Sequence, residues 1–298
     1  FWLTSAAARA ASRLGALDSF VLCRAPASMA ERRLRILALH GGYQNGKVFD
    51  AMRTKDLQRR LRSVAEFVCL DGPILATASP KDPLAERRSW FNWDAEDPCR
   101  FEDYIYRSEP FTWHGLEDTF AYLDKFIEEH GPFDGILGFS QGAECASVYL
   151  DQYLRQEERH EAASSARESS AAPSCEPRST SSETSPSRAQ RPRFRHGIRF
   201  LILVGAFLHP RPANFPKYCA DAAARISGIP SLHVFGEGDE YVNPSRSQEL
   251  AGMYEAAQVY CHSKGHIVPQ SGEDCKVYKA FLERFLPRAH AQATGPKR

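Results

Sequence analysis

Gly135-Ile136-Leu137-Gly138-Phe139-Ser140-Gln141-Gly142-Ala143-Glu144-Cys145-Ala146-Ser147-Val148-Tyr149 decides how this chain is read. A short apolar run, Gly135 to Phe139, stops at a serine with a glycine two residues away on either side, and helical periodicity follows. A bare G-x-S-x-G pattern arises easily by chance, but between a strand and a helix it has a physical meaning. The turn is so tight that only glycine tolerates the crowding at those two positions. The serine hydroxyl is left exposed at a helix N-terminus, where the dipole favours a developing anion. Ser140 is therefore the candidate nucleophile.

Outward from this turn, short apolar runs alternate with helical stretches. Strands are expected at Leu34 to Leu39, Ala65 to Leu70, Gly135 to Phe139, Phe200 to Val204, Ser231 to Phe235 and Gln258 to Cys261. Helices are expected at Gly115 to His130, Gln141 to Arg159, Ser245 to Ala256 and Glu273 to Leu286. Strand and helix in alternation predict an α/β domain, a mainly parallel sheet with helices on both faces.

A serine at its ordinary pKa needs a base, normally a histidine held by a carboxylate. In this setting the partners follow in the order Ser, Asp or Glu, His, each on a loop after a later strand. Gly236-Glu237-Gly238-Asp239-Glu240-Tyr241-Val242 follows one strand, and Ser263-Lys264-Gly265-His266-Ile267-Val268-Pro269 follows the last. Asp239 and His266 are the expected partners, with Glu237, Glu240 and His262 as competitors within reach. An oxyanion needs two backbone N–H donors. Gln141, directly after the nucleophile, supplies one, and Gly42 in the loop His40-Gly41-Gly42-Tyr43-Gln44-Asn45-Gly46 is expected to supply the other. Neither phosphate-loop pattern, G-x-x-x-x-G-K-[ST] nor G-x-G-x-x-G, is present.

From Trp90 to Trp113 there are eight aromatics in 24 residues, on a segment that leaves the sheet at the same edge. Such density reads either as satellite-core packing or as an apolar pocket over Ser140. The pocket reading assigns Tyr43, Trp90, Phe91 and Trp93 to the acyl group of a substrate.

These residues resemble the FSH-type serine hydrolases of the α/β-hydrolase superfamily. The resemblance lies in Leu39-His40-Gly41 with Gln44 and Asn45, in Arg88-Ser89-Trp90-Phe91, and above all in Gly131-Pro132-Phe133-Asp134-Gly135-Ile136-Leu137-Gly138-Phe139-Ser140-Gln141-Gly142-Ala143. The Gly236 to Val242 and Gly265 to Pro269 segments match as well, over a span from about Leu34 to Leu286. The sequence departs from the pattern at Gly42-Tyr43, in a Ser-rich insert and at both termini. The resemblance implies an α/β-hydrolase fold with a six-stranded core and a carboxylester hydrolase acting on acyl chains of small to medium or long length. Two alternatives are a thioesterase with the same three residues and a non-catalytic scaffold that docks through the insert.

Composition narrows the partners. With 38 basic and 37 acidic residues there is no basic excess for nucleic acid. The longest apolar run, Phe200 to Leu208, is less than half of the ~20 residues a membrane-spanning helix needs. Eight cysteines show no C-x-x-C pair and no zinc spacing, which predicts reduced thiols and no metal. The expectation is therefore an enzyme with no cofactor and a small-molecule acyl ester or thioester as partner. Oligomeric state is not read from the sequence.

Three stretches fall outside this core. Residues 1–28 hold eight Ala and three Arg against one acid, the composition of a transit peptide, with a non-native leader, translated from non-coding sequence ahead of a true start at Met29, as the other reading. Residues 163–195 hold ten Ser and four Pro with Phe194 as the single aromatic, and are expected to be a disordered insert in a domain spanning 29–287. Residues 288–298 read as a disordered tail. The expected compartment follows the first choice: cytoplasmic with a non-native leader, mitochondrion or another organelle with a genuine transit peptide.

Overall fold

Phe200-Leu201-Ile202-Leu203-Val204 is buried at every position, as a strand must be when helices cover both faces of its sheet. The computed structural model describes residues 32–77, 86–93, 112–153, 196–207 and 228–287. Among these the strands in chain order are β1 (Leu34–Leu39), β2 (Ala65–Leu70), β3 (Ile74–Thr77), β4 (Arg87–Ser89), β5 (Asn92–Trp93), β6 (Trp113–His114), β7 (Gly135–Phe139), β8 (Phe200–Val204), β9 (Ser231–Gly236) and β10 (Ala257–His262). Six form one sheet in the order β10-β9-β8-β7-β1-β2, and every neighbouring pair is parallel. The six expected sheet strands are these six, within a residue at each end. The expectation did not include two small antiparallel ribbons, β3 with β4 and β5 with β6.

The helices are α1 (Gly46–Val48), which runs into a π-helical turn over Phe49–Arg53, α2 (Lys55–Leu61), α3 (Leu116–His130), α4 (residues 141–153), α5 (Pro244–Gly252) and α6 (Gly272–Glu283). Alternation along the strands divides the core in two. Leu37, Leu39, Ile136, Leu201 and Leu203 pack on α3 and α4 through Phe120, Leu123, Ile127, Ala146 and Tyr149. Ile36, Ala38, Leu137, Ile202 and Val204 face the other way, onto Leu57 and Leu61 of α2 and Tyr278, Phe281 and Leu282 of α6. α5 starts at Pro244 with Asn243 accepting from the Ser245 N–H, and stops at Gly252, four residues before the expected end. Glycine unwinds the last turn, and the Tyr254 N–H folds back to bond the Ala251 carbonyl.

Residues 1–28, 163–195 and 288–298 lie outside the described residues, as do residues 94–111 of the aromatic segment and residues 154–159 of the expected helix. The flanks of the Ser-rich stretch are described. Tyr153 O–H at the end of α4 and His196, just before β8, both bond the Asp124 carboxylate on α3, the latter at 2.9 Å. A connection from a helix end to a strand start lies at the amino edge of a parallel sheet, while Ser140 leaves a strand at the carboxyl edge. Replacing residues 163–195 with a short Gly/Ser linker is expected to leave ester-hydrolysis kcat/KM within about twofold. A tenfold fall toward a small soluble ester would contradict this expectation.

Candidate active site

Ser140 follows β7 directly and has a backbone φ of 52°, one of two non-glycine residues in the left-handed region among those described. That conformation is strained for a side-chain-bearing residue and persists where its surroundings over-determine it. The surroundings are the crowding read from the sequence. A Cβ on Gly138 would lie 2.4 Å from Ala143 Cα, and one on Gly142 would lie 2.4 Å from the His40 carbonyl oxygen. Ser140 N–H is held by the Val204 carbonyl of β8 at 2.8 Å, and α4 begins at the next residue.

His266 and Asp239 come from the loops after β10 and β9. Their side chains meet, His266 Nδ1 to Asp239 Oδ2 at 2.7 Å, with the Asp239 side chain 1% exposed. The other carboxylate oxygen accepts from the backbone N–H groups of Tyr241 and Val242 at 2.9 and 2.8 Å, so both oxygens are occupied and the carboxylate cannot turn. The His266 ring stands 4.9 Å from that of Phe139, the residue before Ser140. It also covers Gly205, where a Cβ would come within 2.8 Å of His266 Cε1, and Gly205 follows the Val204 that holds Ser140. The three sequence-predicted residues are thus gathered at the carboxyl edge of β7, β9 and β10. The competitors stand elsewhere: Glu237 and Glu240 are exposed, and buried His262 accepts the Lys264 N–H at its Nδ1.

Gly42 lies against Gln141, with the Gln141 Cβ and Cδ 3.5 Å from where a Gly42 Cβ would be. The two expected oxyanion donors are therefore on adjacent segments. His40, read from the sequence only as part of the loop, proves to be its anchor. Its Nε2 accepts the Gly72 N–H at 2.9 Å, which leaves the proton on Nδ1 to be donated to the Gly41 carbonyl at 2.7 Å. Because a trans peptide points its N–H opposite its C=O, this bond turns the Gly42 N–H away from His40. A histidine ending a buried strand directly before two glycines was the available signal.

Of the four residues expected to line an acyl pocket, Trp90 and Phe91 are 0% exposed and Trp93 is half-buried, while Tyr43 is 50% exposed. Fully buried rings offer no surface to a ligand, and the polar groups of the Trp90-Phe91 segment are taken up by Gln141, His40 and Thr119.

Burial pulls His40 down to about 4 even though its bond to Gly41 opposes the shift, and burial alone pulls His233 of β9 to about 4. Both pKa values are depressed on folding, so their neutral forms stabilise the fold above the unfolded value of 6.5, and that stability is lost as pH falls toward 4. Unfolding free energy is expected to drop by about 2 kcal/mol per histidine between pH 7 and 5. Equal urea midpoints at the two pH values would contradict this.

A family model described as serine hydrolase (FSH1) matches residues 29–277. The chain belongs to the FSH1 serine hydrolase family. It is 32% identical over 272 residues to esterase OVCA2 of Xenopus tropicalis, covering 88% of this chain and 97% of that protein. It is 29% identical over 267 residues to esterase OVCA2 of Homo sapiens, covering 86% and 98%. Among solved structures, the crystal structure of esterase PE8 matches with a TM-score of 0.51 at 19% identity, covering 88% of this chain and 96% of that one. The six-stranded parallel sheet with helices on both faces is the α/β-hydrolase fold. As an FSH1-family chain the protein is a serine hydrolase by family. Among the described residues no helix is long and apolar enough to cross a membrane.

Proposed function

We propose that this FSH1-family protein hydrolyses carboxylic esters of apolar acyl groups through an acyl-enzyme on Ser140. The single observation that carries the reading is the 2.7 Å bond between His266 Nδ1 and a buried, doubly anchored Asp239 carboxylate, on loops that converge on the strained Ser140 turn. With Nδ1–H given to Asp239, the Nε2 lone pair is left as a base. Ser140 Oγ attacks the acyl carbon, the carbonyl π pair moves to oxygen, and the Oγ proton passes to His266 Nε2. The oxyanion is met by Gln141 N–H and Gly42 N–H. As the tetrahedral adduct collapses, the bond to the alcohol breaks and the alcohol leaves with the proton from His266. Water then adds to the acyl-enzyme by the same transfers and releases the acid.

The rim supports an apolar acyl group. Tyr43 beside Gly42, Tyr241 with its ring 5.5 Å from His266, and Ile267 directly after His266 are 50%, 49% and 36% exposed. Large apolar side chains gathered at a site, rather than scattered, mark a surface that binds apolar ligand.

Labelling with a fluorophosphonate followed by peptide mapping tests the reading. The expected adduct is on Ser140, and no adduct, or one elsewhere, overturns it. Comparing kcat/KM of the unlabelled enzyme for matched oxygen and thiol esters then decides between esterase and thioesterase.

A further inference from the structure

We infer that the side chain of Gln141, together with Trp90, is a positioning device that sets the spacing of the two backbone donors facing the oxyanion. The inference rests on the acyl-enzyme reading and goes beyond the role of the Gln141 backbone. One donor, Gly42, sits on the loop leaving β1, and the other, Gln141, on the first residue of α4, just after the neighbouring strand β7. The strands themselves are in register as far as Leu39 opposite Gly138, after which the ladder ends and the Gly142 backbone packs on the His40 carbonyl oxygen. Past that point the distance between Gly42 N–H and Gln141 N–H depends on this backbone contact and on the side chains that join the two segments.

The join runs through buried hydrogen bonds. Gln141 Oε1 accepts the Trp90 backbone N–H at 3.0 Å, and Gln141 Nε2 donates to the Phe91 carbonyl at 2.9 Å. The primary amide therefore spans a donor and an acceptor of one backbone segment. Trp90 Nε1–H in turn donates to the His40 carbonyl at 2.8 Å, reaching the start of the loop that carries Gly42. Thr119 Oγ–H of α3 bonds the Trp90 carbonyl, so the segment is fixed to the helix layer as well. The stem of Gln141 fills the open face of Gly42. A path thus leads from one donor residue through its own side chain to Trp90 and on to His40, with Trp90, Phe91 and His40 all 0% exposed. Buried bonds of this kind are costly to leave half-made, so the path holds one geometry.

Two variants break the path at different links and leave both donors in place. Gln141→Met keeps the backbone N–H and the length of the side chain but makes neither bond to residues 90 and 91. Trp90→Phe keeps a buried ring and removes the Nε1–H to His40. Each is expected to lower kcat by about 10- to 100-fold, the scale of an ångström of misplacement or a weakened donor, with KM within about threefold. Affinity for an alkyl boronic acid, which forms a tetrahedral adduct on serine, should fall by the same factor. Binding of an unreactive ether analogue should stay within about twofold. Because the links act in series, the double variant is expected to lose no more than the worse single one.

Wild-type kcat/KM in both variants overturns the inference, as do losses that multiply in the double variant, or a fall in kcat with boronate affinity unchanged. Lowered melting temperature with wild-type kinetics of the folded enzyme assigns these bonds to stability alone and also overturns it. Fluorophosphonate labelling separates the two layers of the argument. If wild-type Ser140 is labelled and the variants react like wild type, the positioning inference fails while the acyl-enzyme reading stands. If wild-type Ser140 takes no label, that reading fails and the inference with it.

Discussion

Ser140→Ala and His266→Ala are each expected to lower kcat for ester hydrolysis by a factor on the order of 10⁶, and the double variant is expected to lose little more than either one alone. The nucleophile and its base form one unit: without the serine there is no proton for the histidine to take, and without the histidine the serine keeps its proton. Neither change should unfold the chain. Ser140 carries a left-handed φ of 52° that alanine tolerates no worse, and its backbone bond to Val204 does not use the side chain. His266 lies on a loop against Phe139 and Tyr241 rather than in either half of the core. The measurement is kcat for the three variants on one chromogenic ester, with thermal melts as a control on folding. Losses that multiply in the double variant would show two independent contributions and count against a Ser140–His266 unit.

Asp239→Asn is expected to lower kcat by about 10⁴, for a reason specific to this carboxylate. One oxygen already accepts from Tyr241 N–H and Val242 N–H, and the other faces His266 Nδ1. In the asparagine variant the carbonyl oxygen must serve the two backbone donors, which turns the amide NH₂ toward His266. Nδ1 is then forced to accept, the ring proton moves to Nε2, and the lone pair that would take the Ser140 proton is gone. Glu237→Gln and Glu240→Gln, both at exposed positions, should stay within about twofold of wild type. If Asp239→Asn kept activity within tenfold, or if either glutamate variant suffered the larger loss, the carboxylate partner of His266 would have to be reassigned.

Both predictions concern residues that motif and chain order mark as candidates, Asp239 and His266 each with competitors close by in the chain. Burial on both faces makes the central strands β7, β8 and β9 short apolar runs, and the elbow declares itself because steric crowding at Gly138 and Gly142 excludes every larger residue. The helix boundaries were legible where a cap or a glycine punctuates them, as at Gly131 after α3. Less legible were α2 and the two antiparallel ribbons, whose short segments carry too few residues for a period to emerge.

The amino-acid sequence by itself determined the parallel α/β architecture, the strained turn at Ser140 and the chain order of the loops that bear Asp239 and His266. Those features follow from local periodicity, from glycine sterics and from the rule that parallel strands deliver their loops to one edge. Tertiary structure alone decided the orientation of side chains in those loops. Asp239, rather than its exposed neighbours, bonds His266 because two backbone N–H groups turn its carboxylate inward. Trp90 and Phe91 lie in the frame of the site because Gln141, some 50 residues away in sequence, binds their backbone. His40 takes its tautomer from Gly72 on a different loop. Contacts between residues so far apart leave no period and no spacing in the chain, since each depends on which surfaces the packed sheet and helices bring together.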